Sequence, residues 1–240
     1  MSGHNKWSKI KRQKQATDIQ KSAIYGRFSR EISIAARSGI DPAYNFKLRN
    51  LIDRSKTLGV PNDIINKALK KAENNDKNDN FEEITYEGYG VQGIAVLIEV
   101  LTDNRNRSAA ELRNIFNKNG GNLGEAGCVA WMFERKAIIY IPFKTEEEKN
   151  KIEEKLFEIE NLEDLDSESD EENILAFTKI ENLETCLSEI KKYYECSSEI
   201  AYIAKTKIEI ENEENAEKLN NLIEMLENFA DVRNVFHNGI

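Results

Sequence analysis

Apolar residues in the first 72 positions recur every three to four residues, which is the period of an amphipathic helix. The first stripe stops at Gly39, the second stops at Gly59, and Pro61 opens the third. Glycine just after a helix and proline at its first turn are common helix boundaries, and Asp41 before Pro42 is expected to cap the second helix. The stripes consist of Ile19, Ala23, Ile24, Phe28, Ile32, Ala35 and Ala36, then Leu48, Leu51, Ile52, Ser55 and Leu58, then Ile64, Ile65, Ala68, Leu69 and Ala72. Residues 1–72 are therefore predicted to form a three-helix domain.

A turn, a helix and a second turn follow at 102–127, between apolar runs at 94–101 and 128–133. Ser108 and Glu111 have the spacing of a capping box, and Gly120 or Gly121 is expected to stop the helix. This arrangement predicts a β-α-β unit. The polar, periodless residues 73–83 are predicted to be a linker between it and the helical domain.

From position 136 the pattern predicts a strand, a helix capped by Thr145, two strands separated by the acidic turn 166–172, a helix near 183–194 and a strand at 200–204. That order, β-α-β-β-α-β, is typical of a ferredoxin-like domain. A last helix at 216–227 and a strand at 231–237 complete the earlier β-α-β unit. The predicted fold class is α/β (α+β): an N-terminal three-helix domain and two ferredoxin-like domains. The third domain, 135–206, is expected to be inserted into a discontinuous second domain, 84–134 plus 207–240.

Charge is divided unequally along the 240 residues. Residues 1–72 hold 16 Lys and Arg against 5 Asp and Glu, a net charge of +11, whereas residues 73–240 carry a net charge of −20 within an overall −9. Such segregation predicts that the N-terminal domain binds a polyanion while the rest of the chain is repelled by it. The alternative is a basic face neutralised by the acidic body of the same protein.

Clustered Lys and Arg contact phosphates, so the candidate nucleic-acid-binding residues lie in the lead and first helix. Trp7 is expected either to stack on a base or to pack against the bundle. Arg105 and Arg107, just before a helix N-terminus, form a secondary phosphate site, with pairing to Glu99 or Glu125 as the structural alternative. The primary candidates are His4, Lys6, Trp7, Lys9, Lys11, Arg12, Lys14, Lys21, Arg27, Arg30 and Arg37.

Catalytic and cofactor motifs are not evident. Gly88, Gly90 and Gly93 match G-x-G-x-x-G, but the third glycine opens a strand rather than a helix, which argues against a dinucleotide site. The three cysteines have no C-x-x-C spacing, and the acidic turn lacks the pattern of a calcium loop. We therefore expect a non-enzyme without cofactor or metal. With no long apolar run and no secretory leader in view, we also expect a cytoplasmic protein that does not enter a membrane.

Several runs of residues closely resemble the YebC family. They are G-H-N-K-W at 3–7, D-P-A-Y-N-F-K-L-R at 41–49, V-P-N-D-I-I at 60–65, Y-E-G-Y-G at 86–90, L-T-D-N-R-N-R at 101–107, G-G-N-L-G-E-A-G-C-V at 120–129 and D-V-R-N-V-F-H-N-G at 231–239. The resemblance implies a cytosolic three-domain protein that is a probable DNA-binding transcriptional regulator. It also implies a link to translation, because the mitochondrial relative activates translation of cytochrome c oxidase and bacterial members are tied to ribosomes and relief of stalling.

Three functions remain open at this stage. A DNA regulator would place the first helix in the major groove, as the family classification favours. A translation factor would hold ribosomal RNA through its lysine-rich lead, which the residues slightly favour. A protein-interaction module would instead use the acidic domain to dock a basic protein partner. The protein is expected to be a monomer.

Overall fold

A computed structural model describes residues 18–73, 81–168 and 170–240. It is a mixed α/β protein with an N-terminal helical region followed by two four-stranded sheets. This confirms the fold class predicted from the sequence. None of the described helices is both long and apolar enough to cross a membrane.

The helical domain consists of α1 (Asp18–Ala36), α2 (Phe46–Thr57) and α3 (Asn62–Glu73). Phe28, Ile32 and Leu48 are almost completely buried at its centre, so the predicted apolar stripes form one core. Gly59 has a φ of 74°, a left-handed conformation that glycine adopts at little cost and that ends α2.

The cap of α2 lies four residues later than predicted. Asn45, not Asp41, is the N-cap, and its side-chain oxygen accepts from the amide of Leu48 at 3.0 Å. Asp41 instead accepts from the amide of Ala43 at 2.9 Å. The prediction of Asp41 as the cap was therefore wrong. Asp and Asn side chains both accept from backbone amides a few residues later, so local sequence does not distinguish Asp41 from Asn45.

The second domain contains β1 (Glu82–Tyr89), β2 (Ala95–Thr102), α4 (Arg105–Lys118), β3 (Asn122–Leu123), α7 (Glu213–Asn228) and β8 (Val232–His237). The order in its sheet is β3-β1-β2-β8. β1 pairs antiparallel with both β2 and β3. The sequence pattern does not predict β1, whose first half is mostly exposed and which contains Gly88.

Two predictions around α4 are wrong. The helix begins at Arg105 under the cap of Asn104, whose side chain accepts from the Arg107 amide, so Ser108 is not a cap but a buried residue of the first turn. Residues 128–132 are not a strand: Gly127 has a left-handed φ of 90°, a short 3-10 helix, Ala130–Met132, follows, and the next strand begins only at Phe133. The predicted stop at Gly120 agrees with its φ of 71°.

The third domain contains β4 (Phe133–Pro142), α5 (Glu146–Leu156), β5 (Leu162–Asp166), β6 (Asn173–Thr178), α6 (Leu183–Ile190) and β7 (Ser197–Ala204). Thr145 caps α5 as predicted, accepting from the Glu148 amide at 3.2 Å. The sheet order is β5-β6-β4-β7, which is the ferredoxin-like order for β-α-β-β-α-β. Ile139, Ile141 and Ile174 pack under α5 and α6 in its core.

The two sheets have the same spatial arrangement but different connections. In the second domain, β1 occupies the place that β6 occupies in the third domain, yet it comes first in the chain rather than third. The chain leaves this sheet after β3 and returns to it through α7 and β8. In the order of the sequence, the elements of the third domain therefore come between the two parts of the second. The exact domain boundaries stay a prediction.

Candidate nucleic-acid interface

α1 is the central helix of the helical domain. Every one of positions 24–36 is buried or half-buried. The apolar face packs on α2 and α3, and α1 also contacts α7 of the second domain. Lys21 near its start and Arg37 just after its end are exposed. This half-buried helix therefore offers few side chains to a groove of duplex DNA.

Two of the candidate arginines, Arg27 and Arg30, contact the C-terminal segment of the second domain. Arg27 donates from Nη1 to the carbonyl of Arg233 at 3.0 Å. Arg30 donates from Nη1 to the carbonyl of Ala230 at 2.9 Å and to Oδ1 of Asp231 at 2.7 Å. Both guanidinium groups thus hold the helical domain against β8 and the turn before it. Their predicted contact with nucleic acid would require a phosphate to compete with these partners.

Asp231 is the centre of a buried polar cluster that joins the two domains. Only 4% of the residue is exposed. Besides Arg30, its Oδ2 accepts from Arg107 Nη2 at 2.9 Å, from Ser108 Oγ at 2.8 Å and from Thr102 Oγ1 at 3.2 Å. We call these five residues the Asp231 cluster. It places a carboxylate beside the N-terminus of α4, where the helix dipole favours negative charge.

The Asp231 carboxylate stays ionised in this environment. Burial alone would raise its pKa, but hydrogen bonds from Arg107 and Ser108 and the charges of Arg30 and Arg107 outweigh burial and hold the pKa below its ordinary value. The cluster is therefore an ion pair network whose strength depends on the charged form of Asp231.

The secondary phosphate site divides into two differently placed arginines. Arg107 is paired with Asp231 and, at 2.8 Å, with Asp103, rather than with Glu99 or Glu125. Arg105 is exposed, and its carbonyl accepts from the hydroxyl of Tyr86 at 3.1 Å. Their role as a phosphate site stays a prediction, and for Arg107 it would require displacement of two carboxylates.

Arg233 makes a second link between the two domains. Its guanidinium lies 3.4 Å from Glu31 of α1 and 3.0 Å from Glu83 of β1. Burial lowers the pKa of Arg233, but the surrounding charges of Glu31, Glu83 and Glu99 more than reverse this and raise it, so the side chain stays charged.

The exposed cations of the described helical domain lie outside the Asp231 cluster, and one of them, Lys47, also lies 3.9 Å from Glu83. Besides Lys21 and Arg37, they are on α2 and α3: Lys47, Arg49, Lys56, Lys67, Lys70 and Lys71. None of these six was predicted from the sequence to be a binding residue, although they contribute to the basic charge of residues 1–72. The candidates His4, Lys6, Trp7, Lys9, Lys11, Arg12 and Lys14 lie outside the described residues.

Among the residues that the structure describes, no group of three or more His, Cys, Asp or Glu side chains is placed to hold a metal ion. In the acidic turn, Asp170 is buried and accepts from the amides of Glu172 and Asn173 at 2.8 and 3.0 Å. Its oxygens therefore stabilise the turn between β5 and β6.

Comparison with known proteins decides the family. The model of the TACO1/YebC protein N-terminal domain matches residues 5–75, and the model of the TACO1/YebC second and third domain matches residues 81–239. The chain belongs to the TACO1/YebC family. The resemblance noted in its motifs is thereby confirmed over almost the whole length.

Relatives of this TACO1/YebC chain carry a regulatory name. A "probable transcriptional regulatory protein" of Crocosphaera subtropica is 46% identical over 99% of this chain and 94% of its own length. One from Trichodesmium erythraeum is 43% identical over 99% and 95%. These names confirm the main prediction from the sequence, a regulator of gene expression.

A solved structure has the same fold. The crystal structure of a conserved hypothetical protein from Aquifex aeolicus is 34% identical and covers 93% of this chain and 91% of its own, with a TM-score of 0.78.

Proposed function

We propose that this TACO1/YebC chain regulates gene expression by binding nucleic acid through the basic N-terminal domain, and that it acts by binding rather than by catalysis. The observation that carries this proposal is the segregation of charge, +11 in residues 1–72 against −20 in the remainder. A polyanion is attracted to one end of the chain and repelled by the other, which orients the complex.

Phosphate contacts come from the exposed lysines and arginines of the helical domain and from its lead. Each such contact releases counterions from the nucleic acid, so the affinity falls as salt rises. Arg27 and Arg30, held by the C-terminal segment, support the interface chiefly by fixing the helical domain on the second domain.

For the target, the names of the relatives favour DNA and transcription. One observation favours the alternative, a factor that holds ribosomal RNA and acts in translation. Positions 24–36 of α1 are buried or half-buried, and a major-groove reader needs a helix whose side chains reach base edges. Contacts from scattered lysines to phosphate need no such helix, so they suit RNA recognised by shape.

The test uses full-length protein in which Lys9, Lys11, Arg12 and Lys14 are replaced by alanine. Binding to duplex DNA, to single-stranded RNA and to ribosomes is measured over a range of salt concentrations. We expect the variant to bind more weakly to every sequence, and the plot of log affinity against log salt to flatten by about 0.7 to 0.9 per lost phosphate contact.

A matched control removes four exposed lysines from the acidic third domain: Lys144, Lys151, Lys191 and Lys192. It changes the net charge equally but should leave the salt slope unchanged. Equal losses in both variants would refute a localised interface. Retention on ribosomes with weak DNA binding identifies the translation factor, and sequence-specific retention of DNA identifies the transcriptional regulator.

A further inference from the structure

The connection into α2 presents an unusual amount of apolar surface to solvent. Ile40, Tyr44 and Phe46 are 42%, 92% and 54% exposed, so three large apolar side chains within seven residues face outwards. Single exposed hydrophobic residues are common, but a cluster of them marks an interaction surface more often than chance. This cluster lies in the most basic domain of the chain.

The backbone that carries the two aromatic rings is fixed. Asn45, which stands between them, caps α2 and donates from Nδ2 to the carbonyls of Ala35 and Gly39 at 2.8 and 2.7 Å. Leu48, one turn further on, is completely buried. The backbone that carries Tyr44 and Phe46 is therefore fixed before a ligand arrives, so no backbone ordering is needed for a ligand to pack on the two rings.

Cations accompany the rings. The guanidinium of Arg49 lies over the Phe46 ring, 5.3 Å from its centroid, and Lys47 between them is exposed, with Glu83 at 3.9 Å. A guanidinium held near the face of an aromatic ring keeps N–H groups that can donate to a phosphate. We call residues 44–49 the aromatic surface.

A groove of about 780 Å³ opens beside Tyr44, with Ile40, Leu69 and Lys70 among its lining residues. Asp41 and Glu73 also line it. Two carboxylates in the groove disfavour a phosphate there but not an uncharged base, whereas Lys47 and Arg49, which are not among its lining residues, favour phosphate. The distribution of charge therefore separates a place for bases from a place for backbone.

We propose that the aromatic surface binds single-stranded nucleic acid, with unpaired bases stacked on Tyr44 and Phe46 and the adjoining phosphate held by Lys47 and Arg49. This rests on the proposed function and specifies its ligand. Exposed rings beside cations are a combination by which proteins hold single strands, because every base has a face that can stack. A duplex buries those faces and gains nothing from the rings.

The test compares full-length protein with the double variant Tyr44→Ala and Phe46→Ala. The probes are a fluorescently labelled oligoadenylate RNA and its duplex with oligouridylate, and anisotropy reports affinity. We expect the double variant to lose about tenfold or more in affinity for the single strand, the range measured when stacking rings are removed. Its affinity for the duplex should change little, because phosphate contacts dominate there.

Two further variants separate stacking from other effects. Tyr44→Phe with Phe46→Tyr keeps both rings and should bind the single strand like the parent. Phe157→Ala with Tyr193→Ala removes exposed rings from the third domain, where Phe157 is 78% exposed, and should also bind like the parent. The unfolding midpoints of all variants should agree, since the changed side chains are on the surface.

The outcomes distinguish this inference from the proposed function. If the parent binds RNA and the double variant binds the single strand equally well, or loses single strand and duplex alike, base stacking at this surface is refuted and the proposed function stands. If the parent binds neither probe nor DNA, both are refuted, and a protein partner is the better occupant of the surface.

Discussion

The two sheet domains share a strand arrangement but are stabilised by different kinds of polar contact. In the second domain, Asp231 and Arg233 bind partners more than 100 residues away in sequence, and both are largely removed from water. In the described part of the third domain, most ion pairs join residues two to four apart on the surface, such as Glu147 with Lys151; Lys136 with Glu163 is an exception.

This difference follows from what each domain must hold. The helical domain has its own apolar core and is also joined to the second domain by the charged contacts of Arg27, Arg30 and Arg233. The third domain encloses its core between one sheet and two helices, so its surface pairs add little. Long-range polar contacts therefore join two domains in one case, whereas in the other most ion pairs lie within one element at the surface.

The largest effect is expected from Asp231→Ala. The substitution leaves Arg30 and Arg107 without their shared carboxylate, and breaking a buried ion pair costs about 3 to 5 kcal/mol. Because Arg107 is half exposed and can find water, we expect a value near the lower end, about 3 kcal/mol. Urea unfolding of the full chain measures it, and a loss under about 1 kcal/mol would contradict the importance of the cluster.

An intermediate effect is expected from acid. The folded-state pKa of Asp231 lies below the unfolded value of about 3.9, so its stabilisation is complete above that pH and is lost as the pH falls through the folded-state pKa. The stability difference between the parent and Asp231→Asn should therefore be constant from about pH 7 to about pH 5 and shrink below about pH 4. Urea midpoints over this range check it, and a difference independent of pH would mean that charge is not what the cluster uses.

The smallest effect is expected from Lys151→Ala in the third domain. Its pair with Glu147, at 2.7 Å, is exposed on both sides and spans one helical turn. We expect a change of less than about 0.5 kcal/mol, reduced further by salt. A loss as large as that of Asp231→Ala would remove the contrast between the two domains.

Elements defined by local rules were predictable from the sequence. The three helices of the first domain, the cap at Thr145 and the stop at Gly120 each follow from residues within a few positions of one another. The insertion of the third domain followed from counting elements, since an unfinished β-α-β unit needed the C-terminal helix and strand. The helical periodicity of apolar residues and the residue types at helix ends are therefore enough to predict these elements.

Features that depend on distant residues were not predictable. Ser108 satisfies the capping-box spacing, but its hydroxyl bonds to Thr102 and Asp231 instead, and Asp231 is 123 residues away. Arg30 has the same local appearance as an exposed cation such as Arg37, and its burial becomes evident only once β8 is in place. β1 contains exposed acids and glycine, so its pairing with β2 gives no alternating apolar pattern.

The position of Asp231 also affects the order of events while the chain is being made. Arg30 leaves the ribosome early, but its carboxylate partner lies 201 residues later in the chain. At roughly 5 to 20 residues per second, the nascent helical domain waits on the order of ten seconds or more for that partner. Throughout that interval the most basic part of the protein lacks this carboxylate, and the contact can form only after residue 231 has been added.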